Sequence, residues 1–163
     1  MISNIIKNAR KHVAERAEAF AEEYKNDSVI YTMGSGASYG AAYMESICIF
    51  MEMQWLDSSS IHTGEYFHGP FEITDANRPF MIQISEGTTR ELDERALTFL
   101  KKYAKRIEVL DAKEWDCQQS THLLSITLIM LCLTMYTRST TMLLRQNVST
   151  RLQHARYMWK VEY

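Results

Sequence analysis

The sequence predicts an α/β fold, a parallel sheet covered by helices on both faces in three layers. Three observations predict it. Short apolar runs of strand length alternate with longer amphipathic segments along residues 1–110. Two of these runs pass directly into loops of glycine and hydroxyl residues that open onto a helical pattern, Gly34-Ser35-Gly36-Ala37-Ser38-Tyr39-Gly40 and Ser85-Glu86-Gly87-Thr88-Thr89. Strands separated by helix-length segments cannot be joined as hairpins, so the sheet they form is parallel and buried on both sides.

The elements follow in order. Ser3 can cap a first helix running to about Lys25, with Ile5, Ile6, Ala9, Val13, Ala17 and Phe20 as its apolar stripe. Asn26-Asp27 stops it. A buried strand is expected over 28–32, then the first glycine loop, then a helix through Ala41, Tyr43, Ile47, Phe50 and Met51 to about Gln54. A second strand includes 58–61, and GEYFHGP at 64–70 is a turn-rich connection. Pro79 opens a third strand over 80–84, SEGTT opens a third helix reaching about Lys105, and 107–110 is a fourth strand. Residues 1–115 therefore make one domain. Residues 116–163 are expected to be a C-terminal helical segment and tail that completes or extends it; over 116–150 the periodicity allows one long helix or two short ones.

Composition removes several function classes. A formal charge of −2 across 163 residues gives no basic field for nucleic acid, and no polybasic run suggests a membrane surface. The apolar stretch at 123–136 is too short for a bilayer, which needs roughly 20 residues, and reads as a buried helix. The charged N-terminus (Lys7, Arg10, Lys11, Glu15, Arg16) is unlike a signal peptide. Cys48, Cys117 and Cys132 are odd in number and set among apolar residues, which fits buried thiols in a reducing cytoplasm. With no CxxC pair and no HExxH helix, neither a metal nor a cofactor is expected.

The chemistry concentrates at the loops. Gly34 and Gly36 leave backbone amides unobstructed, Ser35 and Ser38 add hydroxyls, and the helix that follows directs its positive end at the loop, a combination suited to oxyanions. A tight strand-to-helix turn without a ligand fits the same pattern. Ser85, Thr88 and Thr89 around Gly87 repeat the logic, with simple capping as the alternative. His68, between Phe67 and Gly69-Pro70, is placed for proton transfer or is merely solvated. Glu52 in FMEMQW is either buried, which would raise its pKa, or exposed at the helix end. Glu65 and Glu72 flank His68 as partners or surface charges.

Together these residues resemble the SIS (sugar isomerase) family, whose domains are flavodoxin- and Rossmann-like. The likeness is to the C-terminal SIS half of fructoselysine-type 6-phosphate deglycases and of the glucosamine-6-phosphate synthase isomerase domain. The glycine loop GSGASYG with a helix leading to Glu52, the run of Gly64, Glu65, His68, Gly69, Pro70 and Glu72, and the sixteen residues between Glu52 and His68 carry it. The closing RYMWKVEY resembles the deglycase tail. The resemblance covers about 1–115 and 156–163. It implies that Glu52 is the base moving a proton between C1 and C2 of an open-chain sugar. It implies that His68 helps open the sugar ring, reaching the site from a neighbouring subunit. The residues expected to hold substrate are Gly34, Ser35, Gly36, Ser38, Glu65, Ser85, Thr88 and Thr89. The implied function is a cytoplasmic phosphosugar deglycase or isomerase acting on a phosphorylated sugar or sugar-amine, as a homo-oligomer or with a first SIS half. A non-catalytic sugar-phosphate sensor and an inactive truncated half are the alternatives.

Overall fold

The computed structural model describes residue 16 and residues 19–115. Among these, four strands make one sheet in the order β2-β1-β3-β4: β1 Val29–Gly34, β2 Asp57–His62, β3 Pro79–Ile84 and β4 Arg106–Asp111. Every neighbouring pair is parallel. Each strand is a residue or two longer than its apolar run suggests, because the backbone pairing with neighbouring strands includes flanking residues as well as the apolar ones. Residues 3–15, 17 and 18 of the first expected helix, the helical segment expected within 116–150, and Cys117 and Cys132 lie outside the described residues.

Burial explains the strand compositions. Every residue of β3 (PFMIQI) is buried, since it is an inner strand covered on both faces. β2 (DSSSIH) is an edge strand, and five of its six residues are polar or charged, which blunts an edge against further pairing. The Ser58 hydroxyl, 2.7 Å from the Ile30 carbonyl, bonds back onto β1.

Right-handed crossovers decide which face each helix covers. The chain passes from β1 to β2 in one direction across the sheet and from β3 to β4 in the other, so the two helices fall on opposite faces. The first is α1, Gly36–Met44, which continues as a π-helical segment, Glu45–Gln54. On its face the Thr32 hydroxyl donates to the Ala42 carbonyl at 2.8 Å, and Phe50 stacks near Phe20. The second is α2, Arg90–Tyr103. On its face Met33, Ile61, Phe80, Ile82 and Ile84 pack with Ala96 and Leu100, and Tyr66 closes the cluster. Each large apolar side chain fully buried there contributes about 1.5–3 kcal/mol.

Two features depart from the sequence reading. The second helix ends in a ten-residue π segment rather than ordinary α geometry, a rare form that often accompanies functional sites. It stops at Trp55, whose left-handed backbone (φ 57°) directs its N–H to the Phe50 and Met51 carbonyls. The connection at 64–73 is ordered as two short 3-10 turns, Tyr66–His68 and Pro70–Ile73. No helix of the described residues is long and apolar enough to cross a membrane.

Candidate functional site at the carboxyl ends of the strands

The two glycine-containing loops leave the carboxyl ends of adjacent strands, β1 and β3, the position at which open α/β sheets bind ligands. They touch. The Ser35 hydroxyl donates to the Thr89 carbonyl at 3.1 Å. Gly36 has φ +51°, and a Cβ on it would stand 2.6 Å from Thr89 Oγ1, so glycine is required there twice over. Gly34, Ser35, Gly36, Ser85 and Thr89 are thus brought together as expected.

Their side chains are used differently from the expectation. Ser35 is the N-cap residue of α1 and is wholly buried. Ser38 Oγ accepts the Ser35 N–H at 3.2 Å and donates to the Ser35 carbonyl at 2.8 Å. Ser85 is buried and its hydroxyl accepts the Gly87 N–H at 3.4 Å. These hydroxyls build the loops. Thr88 is exposed, and the first amides of α1 have no intrahelical carbonyl to bond, so these polar groups remain available at the edge.

Three residues that the sequence reading passed over hold the edge together. Asp93, one turn into α2 and fully buried, accepts the Thr63 hydroxyl through Oδ1 at 2.7 Å. Burial raises its pKa, against the lowering effect of Thr63, Ser35, the Ser85 amide and the charge of His62; Oδ2 itself lies outside normal hydrogen-bond geometry to any of them. Thr63 donates its N–H to the Gly34 carbonyl at 2.9 Å. Arg90 donates to both oxygens of Asp111, at 2.9 and 2.5 Å, and to the Ser85 carbonyl at 3.1 Å, which pins the second loop to the end of β4. The signal for Asp93 was its spacing, since 93, 96, 97 and 100 share one helix face and a carboxylate on that apolar stripe must be buried with a partner.

Glu52 and His68 are both exposed and stand apart. Glu52 sits near the end of the π segment, sixteen residues beyond Gly36, so the helix carries it roughly 20 Å from the glycine loop. Of the two environments the sequence allowed for Glu52, the exposed one is realised: Phe50 and Gln54 turn inward while Met51 and Glu52 turn out. His68 ends the 3-10 turn after β2, and neighbouring Phe67 packs edge-on against Phe99 of α2, on the other face of the sheet. Glu65 is exposed on the same turn and Glu72 on the next. Glu52 lies in the segment before β2 and His68 in the turn after it, so the length of that strand lies between them.

The comparisons with known proteins accord with this architecture. No protein-family model matches the chain. The chain is 49% identical over 159 residues to the fructosamine deglycase FrlB of Bacillus subtilis (strain 168), covering 98% of itself and 48% of that relative. The crystal structure of a candidate phosphosugar isomerase from Bacillus subtilis superposes with a TM-score of 0.90 at 49% identity, over 98% of this chain and 49% of the other. The chain is an SIS domain. The C-terminal domain of glucosamine-fructose-6-phosphate aminotransferase from Francisella tularensis shares the fold at 14% identity, with a TM-score of 0.68 over 87% of this chain and 43% of that one. This SIS domain spans about half the length of the relatives it matches. The likeness also extends further than the motifs indicated: it runs through 116–155, where the sequence offered no recognisable pattern.

Proposed function

We propose that this SIS domain is the C-terminal half of a phosphosugar deglycase acting on 6-phosphofructosyl or 6-phosphoglucosyl amines. The observation that carries the proposal is the 49% identity to a fructosamine deglycase along nearly the whole chain. In this reading Glu52 takes a proton from C1 of the open-chain fructosyl amine, giving an enaminol. Return of a proton to C2 leaves a C1 imine, and water adds to it, releasing sugar 6-phosphate and the amine. Exposure at a helix end suits Glu52 to this work in an assembly, where a second surface can close over it and exclude water.

The separation of Glu52 from His68 favours a composite site. Here His68 of one copy opens the sugar ring for a Glu52 supplied by another. The glycine loop amides and Thr88, roughly 20 Å from Glu52 of the same chain, hold a phosphate group at the carboxyl edge. Ser35, Ser38, Ser85 and Thr89 shape that cradle, and Glu65 contributes to the substrate site from the turn after β2. The SIS domain works as a homo-oligomer or with a first SIS half.

The test is washout of the C1 hydrogen of a 6-phosphofructosyl amine in deuterated water, with the chain alone and with a first SIS half added. Exchange that requires the Glu52 carboxylate supports the deglycase reading. Tight binding of the sugar phosphate without exchange in either assembly replaces it with a sensor module.

A further inference from the structure

We propose that Asp93 is a positioning residue for His68, acting through Thr63; its catalytic consequence rests on the deglycase reading, but its structural basis does not. Thr63 is where three parts of the molecule meet. Its N–H is bonded to the glycine loop at the Gly34 carbonyl (2.9 Å), its hydroxyl to Asp93 of α2 (2.7 Å), and its carbonyl accepts the Tyr66 N–H (3.4 Å). From there the turn climbs in two steps: the Glu65 N–H reaches the His62 carbonyl, and the His68 N–H reaches the Glu65 carbonyl, each at 2.9 Å. His68 is therefore the last residue of a short series of turn bonds whose foot is the His62-Thr63 pair.

The foot is fixed by a side chain as well as by the sheet. Thr63 lies one residue beyond β2, an edge strand, where its N–H bond to the Gly34 carbonyl ties it to the end of β1 and the Asp93 carboxylate holds its side chain. Its hydroxyl is wholly buried with Asp93, and an unmade bond there leaves a polar group in an apolar surround. The first turn of α2 presses on the same place: a Cβ at Gly64 would meet Leu92 Cδ1 at 3.4 Å and the His62 ring at 3.1 Å. His68 itself is exposed, and its placement depends on this anchor and on the packing of Phe67 and Tyr66 against Phe99. Asp93 also lies four residues from Thr89, in the helix that the second loop opens. A ligand that shifts that loop would move the anchor of the His68 turn.

Amide hydrogen exchange on the whole chain decides this without any activity. Asp93→Ala should speed exchange of the Tyr66 and His68 amides about 5- to 10-fold, while the β3 amides change little. Asp93→Asn, which keeps an oxygen acceptor for Thr63, should stay near wild type. Thr63→Val repeats the test from the other partner and serves if Asp93→Ala does not fold. Equal acceleration in β3 and in the turn, or no change at Tyr66 and His68, would overturn the proposal. In an active assembly, Asp93→Ala should lower kcat on the ring-closed substrate and spare a pre-opened analogue. Equal loss on both would make Asp93 merely structural. An inactive wild-type assembly would sink the deglycase reading and leave the exchange result standing.

Discussion

The Ser35 hydroxyl and the Thr89 carbonyl, 3.1 Å apart, join two loops separated by fifty-four residues of chain. The bond is possible because Gly36, next to Ser35, has no side chain where Thr89 Oγ1 sits. The carboxyl edge of this SIS domain is thus one interlocked unit.

Gly36→Ala should break that unit. The substitution forces a side chain into a left-handed backbone and into Thr89 at 2.6 Å. The backbone term alone costs roughly 1–2 kcal/mol, and the displaced loop adds to it. A fall in Tm of at least about 2–4 °C is expected. Gly40→Ala is the matched control, since a Cβ there meets nothing within 4 Å and the position is helical. If both variants melt alike, the loops do not interlock.

Much of this was legible in the sequence. The strand–loop–helix order, the two glycine loops and the parallel sheet follow from apolar runs and turn residues, which are local signals. The contact between Ser35 and Thr89 is not local, because it depends on β1 and β3 being neighbours although β2 lies between them in sequence. The π geometry of 45–54 was invisible for another reason, since apolar residues such as Ile47, Phe50 and Met51 satisfy a 3.6-residue period equally well. The opposite placement of Glu52 and His68 follows from crossover handedness, which spacing alone does not encode.

Asp93 and Asp111 should give opposite pH signatures. Burial raises the pKa of Asp93, so its contribution to stability is full below the ordinary Asp range and is lost as pH rises through the higher folded value. Asp93→Asn should therefore melt higher than wild type near pH 7, with the gap closing below about pH 4. For Asp111, burial pulls the pKa upward, but hydrogen bonds from Arg90 and the Lys113 amide bring it below the ordinary value. That contribution is present above the ordinary Asp range and is lost as pH falls through the lower folded value. Asp111→Asn should melt lower at pH 7 by several degrees and approach wild type in acid. Thermal melts of the three proteins between pH 3 and 7 check both signs, and parallel profiles would contradict both assignments.

Arg90→Lys tests the bidentate geometry separately. Lysine keeps the charge near Asp111 and Glu94 but cannot donate to both Asp111 oxygens and the Ser85 carbonyl from a planar fork. A loss of about 1–2 kcal/mol should appear in urea melts with an unchanged m-value. Full stability in Arg90→Lys would reduce the contact to simple charge attraction.

Glu52→Gln addresses the chemistry directly. Glutamine preserves the shape of the side chain and removes its basic oxygen. Glu52 is exposed, so the fold should be unaffected and the Tm of the chain unchanged within about 0.5 kcal/mol of stability. In a competent assembly, kcat should fall about 10²–10⁴-fold, the usual size of a general-base contribution. Substrate affinity should hardly move, because the carboxylate acts on a proton that is in flight only in the transition state. His68→Asn should behave differently, slowing the ring-closed sugar and sparing an analogue that is already open. Mixing the two variants then separates a composite site from a self-contained one. Each is defective alone, but if Glu52 of one chain works with His68 of another, mixed oligomers pair an intact Glu52 with an intact His68 and recover part of the activity. No recovery from subunits shown to exchange would mean that the two residues do not meet across chains.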